Sequence, residues 1–102
     1  MTDQDFSTQY KDQAFIEWVT KQIVEFPDQI EITRTVDEMG VLITLKVGKD
    51  DMGKIIGKNG QTAKALRTLL RIIGSKNKAR VNLKIVEPGT DRTIVIPEND
   101  ND

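Results

Sequence analysis

One hexapeptide near the middle of the chain, residues 55–60, reads Ile55-Ile56-Gly57-Lys58-Asn59-Gly60. Its two glycines stand three residues apart, which lets the backbone turn sharply and removes the Cβ atoms that would keep a ligand away from main-chain N–H groups. A helical pattern begins directly after it, and Lys58 adds a positive charge beside the polarised start of that helix. The hexapeptide therefore predicts a seat for a phosphate group, although Asn-Gly is also common in plain turns between helices.

The segments before the hexapeptide predict one helix and one β-hairpin. From Gln9 to Phe26, apolar residues recur at steps of three and four, which indicates an amphipathic helix that Pro27 closes. Its expected buried positions are Phe15, Trp18, Val19, Ile23 and Phe26. Residues 30–36 and 41–47 then alternate between apolar and polar side chains, which is typical of two strands joined by a short turn.

The segments around and after the hexapeptide predict two helices and a third strand. Asp50 is placed to cap a short helix over residues 52–56. A longer helix runs from Gln61 to Ile73 and is expected to stop at Gly74, because glycine tolerates the left-handed conformation at a helix end. The apolar alternation of residues 81–85 predicts the third strand.

The element order is therefore αββααβ, and the fold class is α+β. The C-terminal part is less regular: residues 93–96 are expected to form a short strand that folds back onto residues 81–86, followed by an acidic, disordered tail. We divide the chain into a flexible N-terminus at residues 1–8, one domain over residues 9–87 and a C-terminal extension over residues 88–102.

Length and composition fit one small domain and exclude the common catalytic centres. The 102 residues are 37% apolar and 30% charged, which suffices for a single core. The absence of cysteine and histidine excludes disulfides, thiolate or imidazole zinc sites and hydrolases with a histidine base. No apolar stretch approaches the roughly 18 residues of a membrane span, and no export signal is visible. We therefore expect a cytoplasmic protein with no membrane contact, no metal and no other cofactor.

The net charge of −1 hides a strongly basic middle third. Residues 46–84 contain eleven Lys and Arg but only two Asp and Glu, whereas residues 1–45 and 85–102 are acidic. A basic block of this kind suits a polyanion such as nucleic acid, and it equally fits an ordinary solvated surface.

The hexapeptide, in the element order described above, resembles the GXXG loop of the KH domain, and αββααβ resembles its bacterial type II arrangement. Residues 51–67, together with Arg80-Val81-Asn82-Leu83, are more narrowly similar to KhpA, a family of small stand-alone bacterial KH proteins. The similarity covers roughly residues 12–87. It implies a three-stranded mixed sheet packed against three helices, and a protein that binds single-stranded RNA and is not an enzyme.

The resemblance also implies which residues contact RNA. The loop would hold the backbone of about four nucleotides, while the bases lie in an adjoining apolar groove. The expected RNA-binding residues are Gly57, Lys58, Asn59, Gly60, Lys54, Ile56, Lys64, Asn82 and Lys84. Of Ile55 and Ile56, at least one is expected to pack in the core instead, because adjacent helical residues face different ways.

A wide apolar surface on the longer helix predicts contact with a second chain, unless the first helix covers it. The expected dimer interface residues are Ala65, Leu69 and Ile72. KhpA-type proteins associate with themselves and with a larger KH protein of the KhpB (Jag-like) kind. The resemblance thus implies a homodimer or such a heterodimer, acting as an RNA chaperone or post-transcriptional regulator.

Three alternative functions are compatible with parts of the sequence. Residues 48–54 match the first seven positions of a nucleotide-binding P-loop, but Ile55 stands where magnesium coordination requires Ser or Thr. Asp50 and Asp51 resemble a metal-binding pair, but neighbours face different directions and no third ligand is evident. The remaining alternative is a protein–protein interaction module with a KH fold in which RNA binding is secondary.

Overall fold

The computed structural model describes residues 10–89 and 92–94, which form three α-helices and a three-stranded sheet. The elements are α1 Lys11–Ile23, β1 Glu31–Asp37, β2 Gly40–Lys46, α2 Met52–Ile56, α3 Gln61–Lys76 and β3 Val81–Ile85. Short 3-10 turns occur at Pro27–Gln29, Lys49–Asp51 and Lys58–Gly60. The predicted αββααβ order and α+β class are confirmed.

The sheet is mixed, with the strand order β1-β2-β3. β1 and β2 form an antiparallel hairpin in which Ile32 lies opposite Leu45, and β3 runs parallel to β2 with Leu83 opposite Ile43. Parallel neighbours require a crossover connection, which α2 and α3 supply here. Side chains alternate across the strands, so one face of the sheet is apolar, and the three helices pack on that face. The buried core comprises Ile16, Val24, Val41, Ile43, Leu45, Val47, Ile55, Ala63, Leu66, Leu70, Val81, Leu83 and Ile85.

α1 faces the core partly as its apolar spacing predicts. Phe15, Val19 and Ile23 are partly buried and pack against the core, and Asp12, Ile16 and Thr20 on the adjoining line of the helix are buried. The expectation that Trp18 and Phe26 are buried is wrong, because they are 63% and 40% exposed.

An ion pair holds the Asp12 side of α1 against the sheet. The Asp12 carboxylate accepts hydrogen bonds from Arg34 Nε at 3.0 Å and Arg34 Nη2 at 3.3 Å, and the Arg34 guanidinium lies 3.8 Å from the centre of the Tyr10 ring. Arg34 lies on β1 two residues after Ile32, so both side chains are on the side of the sheet that faces the helices. The pair therefore draws the line through Asp12 towards the sheet.

α1 also ends earlier than predicted, at Ile23 instead of Phe26. The cause is distant in sequence: the Asp51 carboxylate accepts the N–H groups of Glu25 and Phe26, both at 2.9 Å. Asp50, the expected cap of α2, is exposed and makes no side-chain capping bond. The buried aspartate of this pair thus stabilises the end of the α1 segment, and the exposed one does not cap α2.

Gly74 lies inside α3 and does not end it, since the helix continues to Lys76. A Cβ at Gly74 would lie 2.6 Å from Val81 Cγ2 and 2.7 Å from the Ala79 carbonyl oxygen. The glycine therefore permits close approach of α3 to the start of β3. The helix ends where Asn77 Nδ2 donates to the Ile73 carbonyl at 2.9 Å.

The chain returns to the sheet after Pro88-Gly89, where Thr93 forms an antiparallel bridge with Val86. A strand was expected at residues 93–96, and residues 95 and 96 lie outside the described residues. The expected flexible N-terminus and acidic tail lie outside them as well. Among the helices described, none has the length and apolar character needed to cross a membrane.

Candidate nucleic-acid interface

The turn between α2 and α3 begins with a backbone conformation that favours glycine. Gly57 has φ 77° and ψ 176°, and its N–H donates to the Gly53 carbonyl at 2.8 Å. A Cβ at this position would lie 2.7 Å from Thr62 Cβ and 2.8 Å from the Thr62 backbone nitrogen. The missing side chain therefore lets the loop lie directly against the first turn of α3.

The rest of the turn presents two side chains to solvent. Asn59 and Gly60 are left-handed, with φ 55° and 75°, and the Gly60 N–H donates to the Gly57 carbonyl at 3.1 Å. Lys58 and Asn59 are exposed, whereas Gly60 is buried. α3 starts at Gln61 with no side-chain cap among the described residues. The Gln61 N–H donates to the Lys58 carbonyl, so the N–H groups of the next residues of α3 carry the positive end of the helix dipole towards an anion.

α2 connects this turn to the core. Ile55 is completely buried, and Ile56 is half-buried and packs against the core. The prediction that at least one of the two packs in the core is confirmed for Ile55. Ile56, next to Gly57, keeps part of its apolar surface exposed beside the loop.

Lys54 is closer to acidic groups than the sequence suggested. Its Nζ lies 3.3 Å from Glu25 Oε1 and 3.4 Å from Asp51 Oδ1. The hydrogen bond to Glu25 raises the pKa of Lys54 above its ordinary value, and Asp51 adds to this against a desolvation effect that lowers it. The side chain remains 45% exposed, so it lies at the surface with its charge largely balanced.

The Asp51 carboxylate is held in its charged form. Burial alone raises its pKa, but the N–H groups of Glu25 and Phe26 and the Lys54 ammonium outweigh burial, so the pKa of Asp51 is below its ordinary value. Asp51 is the residue just before α2. Asp51 therefore links the start of α2, the helix that leads into the loop, to the segment that follows α1.

The basic residues of α3 extend away from the loop along one side of the helix. Lys64 lies one turn into α3 and is half-buried, as is Arg67, while Arg71 is exposed two turns from Lys64. Lys64 is thus the member of this row nearest the loop.

Asn82 and Lys84 lie on the other face of the sheet. The side chains of Val81, Leu83 and Ile85 face the helices, so the alternating positions 82 and 84 face away from them. Lys84 borders a shallow depression there with Lys46 and Glu31. The structure places Lys54, Ile56 and Lys64 close to the loop. Asn82 and Lys84 are not brought to it, and their contact with RNA stays a prediction.

The expected interface residues of α3 form an exposed stripe. Ala65, Leu69 and Ile72 are exposed, and the last two are 43% and 60% accessible. α1 therefore does not cover them, and the core side of α3 is formed instead by other residues, among them Leu66 and Leu70.

Sequence reasoning missed a basic groove at the far end of α3, between this helix and the start of β3. We call it the α3–β3 groove. It encloses about 790 Å³ and is lined by Thr68, Arg71, Ile72, Ser75, Lys78, Ala79, Arg80, Val81 and Asn82. The available signal was the alternation of positive charges in Lys76-Asn77-Lys78-Ala79-Arg80, directly before an apolar strand.

The described residues contain no group of three or more acidic side chains placed to hold a metal ion. Asp51 is engaged by main-chain N–H groups and Lys54, and Asp50 is exposed beside it. Asp51 therefore anchors the fold, and Asp50 is a surface residue.

Comparison with known proteins gives one consistent result. Residues 13–85 match the family model described as the KH domain of KhpA/KhpB. The chain is 37% identical to the RNA-binding protein KhpA of Clostridium acetobutylicum over 71 residues, which is 70% of this chain and 95% of that protein. It is 41% identical to KhpA of Chlamydia pneumoniae over 73 residues, or 72% and 94% of the two chains. For KhpA of Listeria monocytogenes the identity is 41% over 69 residues, or 68% and 91%. Solved structures gave no significant match.

Proposed function

The chain belongs to the KhpA/KhpB KH-domain family, and on that premise we propose that it binds single-stranded RNA with the loop at residues 57–60. The observation that carries the proposal is the geometry of this loop. A glycine-bounded turn, the exposed Lys58 and Asn59 and the uncapped start of α3 meet at one point. Main-chain N–H groups there donate to phosphate oxygens, and the Lys58 ammonium adds a charge-assisted hydrogen bond of its own.

Neighbouring side chains contribute unequally. Ile56 offers its exposed apolar part to a base, and Lys64 places a charge one turn beyond the loop. Lys54 has to leave Glu25 and Asp51 before it pairs with a phosphate, so its net gain is smaller than that of Lys58. Residues 46–84 contain no aromatic side chain to stack on bases, so binding is weak and tolerant of sequence.

Replacing both exposed loop side chains tests the proposal. We expect Lys58→Asp/Asn59→Asp to weaken binding of a short single-stranded RNA by more than about tenfold, because two carboxylates then face the phosphates. Fluorescence anisotropy of a labelled RNA measures the affinity. The matched control is Lys21→Asp/Gln22→Asp, which makes the same charge change on two exposed residues of α1.

Unchanged affinity in the loop variant, or an equal loss in the control, contradicts the proposal. The wild-type affinity should also fall with salt, by a slope of about 0.7 in log–log units for each phosphate held.

We further propose that the chain acts as a dimer, as an RNA chaperone or post-transcriptional regulator in the cytoplasm. The exposed stripe of Ala65, Leu69 and Ile72 supports self-association, or pairing with a KhpB-type KH domain of the same family. A dimer brings two weakly binding loops to one RNA, and the linked sites raise the overall affinity.

A second candidate function is that of a protein–protein interaction module in which RNA binding is secondary. The same stripe favours it, because contiguous exposed apolar residues mark interaction surfaces. The salt dependence described above separates the two, since an apolar interface responds little to salt whereas phosphate contacts respond steeply.

A further inference from the structure

One side of α3 leads from the loop to the α3–β3 groove. Lys64, Thr68, Arg71 and Ser75 follow one another at steps of four, three and four residues, so they lie along the same side of the helix. Lys64 is the member nearest the loop, and the other three line the groove. The groove therefore begins one helical turn beyond Lys64.

Three cations of the groove have no acidic partner. Arg71, Lys78 and Arg80 are exposed there, and within the described part of the chain none of them forms an ion pair. Asp37 and Glu38, in the turn between β1 and β2, line a neighbouring depression and do not pair with these cations either. Unbalanced positive charge on one concave surface attracts a polyanion.

The other groups of the groove suit a nucleotide. The hydroxyls of Thr68 and Ser75 can donate to phosphate or ribose oxygens, and the exposed Ile72 offers apolar surface to a base. The two arginines can each hold a phosphate through two parallel hydrogen bonds. A positively charged groove that follows the backbone is the usual feature of proteins that bind single strands.

The groove lies at the opposite end of α3 from the loop. α3 has 16 residues and is therefore about 24 Å long at 1.5 Å per residue. A KH loop holds the backbone of about four nucleotides. A strand seated at the loop thus reaches the groove with nucleotides beyond those four, and Lys64 lies between the two places.

We propose that the α3–β3 groove is a second RNA contact, which holds phosphates of the same single strand that the loop binds. The proposal rests on RNA binding at the loop and lengthens the bound segment beyond four nucleotides. An acidic polypeptide would satisfy the same cations. RNA is favoured because the loop fixes a strand of phosphates at the start of the line that runs through Lys64 into the groove.

The length of the RNA is the variable that tests the second contact. Fluorescence anisotropy gives the affinities for labelled oligouridylates of four and twelve nucleotides. We expect Lys78→Glu/Arg80→Glu to weaken binding of the longer RNA by about tenfold and to lower its log–log salt slope by about 0.7 for each phosphate released. Its affinity for the shorter RNA should stay unchanged, which also shows that the fold and the loop are intact.

The matched control is Lys21→Glu/Lys49→Glu, which makes the same charge change at two exposed lysines outside the groove. It should leave the ratio of the two affinities as in the wild type. Equal losses for both RNAs in the groove variant, or the same loss of length dependence in the control, overturn the proposal.

A dimer could also favour the longer RNA, by placing two loops on one strand. The measurements are therefore repeated in Leu69→Glu, in which the exposed apolar stripe is broken. The preference for the longer RNA, and its loss on Lys78→Glu/Arg80→Glu, should both persist there. A preference that disappears with Leu69→Glu overturns the second contact.

Two further outcomes separate this proposal from its alternatives. If the groove variant keeps its RNA affinities but loses binding of a labelled oligoglutamate, the occupant is an acidic polypeptide and the proposal is wrong. If Lys58→Asp/Asn59→Asp weakens both RNAs while the groove variant weakens neither, the second contact fails and binding at the loop stands. The reverse result contradicts binding at the loop and leaves the groove as an RNA contact.

Discussion

Gly57 illustrates how one residue sets the shape of the loop. Its φ of 77° and ψ of 176° belong to a region that side chains with a Cβ rarely enter, and the space a Cβ would need is taken by Thr62. Gly53, four residues earlier in α2, differs in both respects, because it is helical and nothing lies within 4 Å of its added Cβ. The two positions therefore form a natural pair for comparison.

We expect Gly57→Ala to lower the free energy of unfolding by about 1–3 kcal/mol, since the alanine is strained and overlaps Thr62. Gly53→Ala should leave stability equal or raise it by up to about 1 kcal/mol, because alanine favours helix. Urea denaturation followed by far-UV circular dichroism measures both. Similar losses in the two variants would show that the backbone at Gly57 is not the constraint.

The loop at residues 57–60 was predictable from the sequence, but the ion-pair partners of the residues beside it were not. The spacing of Gly57 and Gly60 was enough to predict a sharp turn, because few residues other than glycine adopt positive φ. The pairing of Lys54 with Glu25 was not predictable, since 29 positions separate them and only the tertiary fold brings them together.

Among the elements, α2 depends on a contact outside itself. A helix of five residues has little stability of its own, and the buried Asp51 carboxylate fixes its start to the main chain at Glu25 and Phe26. The position of the RNA-binding loop we propose therefore depends on this anchor.

We expect Asp51→Asn to lower the denaturation midpoint clearly at neutral pH, while Asp50→Asn, its exposed neighbour, leaves it unchanged. The folded-state pKa of Asp51 is below its ordinary value, so its stabilisation is present above that value and is lost as pH falls through the folded pKa. The difference between wild type and Asp51→Asn should therefore shrink below about pH 4. A difference that persists unchanged at pH 2 would contradict this account.

The types of the helices and strands were predictable from the sequence, but the residues at which they end were not. Periodicity of apolar residues identified α1, α3 and the three strands, because burial of one face repeats along each element, whereas α2 was inferred from a cap that Asp50 does not make. The end of α1 depends on Asp51, and Gly74 is required by the close approach of Val81 to α3 and not by a helix end. Both causes are tertiary contacts, which local patterns do not encode.

The whole molecule combines a basic surface with an apolar stripe on one helix. Leu69 and Ile72 are exposed on α3, while Lys58, the basic residue of the loop, lies just before the start of the same helix. A dimer formed through the stripe would leave both loops accessible, since the loop side chains are not part of it.

We expect Leu69→Glu to convert the protein from a dimer to a monomer of 11.5 kDa in sedimentation equilibrium, because it places a charge inside an apolar contact. The matched control is Val36→Glu, which alters another exposed apolar residue, 63% accessible, on β1. Equal masses for wild type and Leu69→Glu would contradict the proposed interface, as would dissociation in the control.

Trp18 is the sole tryptophan of the chain, and it lies on the outer side of α1 with 63% of its surface accessible. Most of its surface already contacts water in the folded protein, so unfolding changes its surroundings less than it would for a buried indole. For the same reason it is a natural optical reporter: a blue shift of its emission would signal a macromolecule bound to the exposed side of α1.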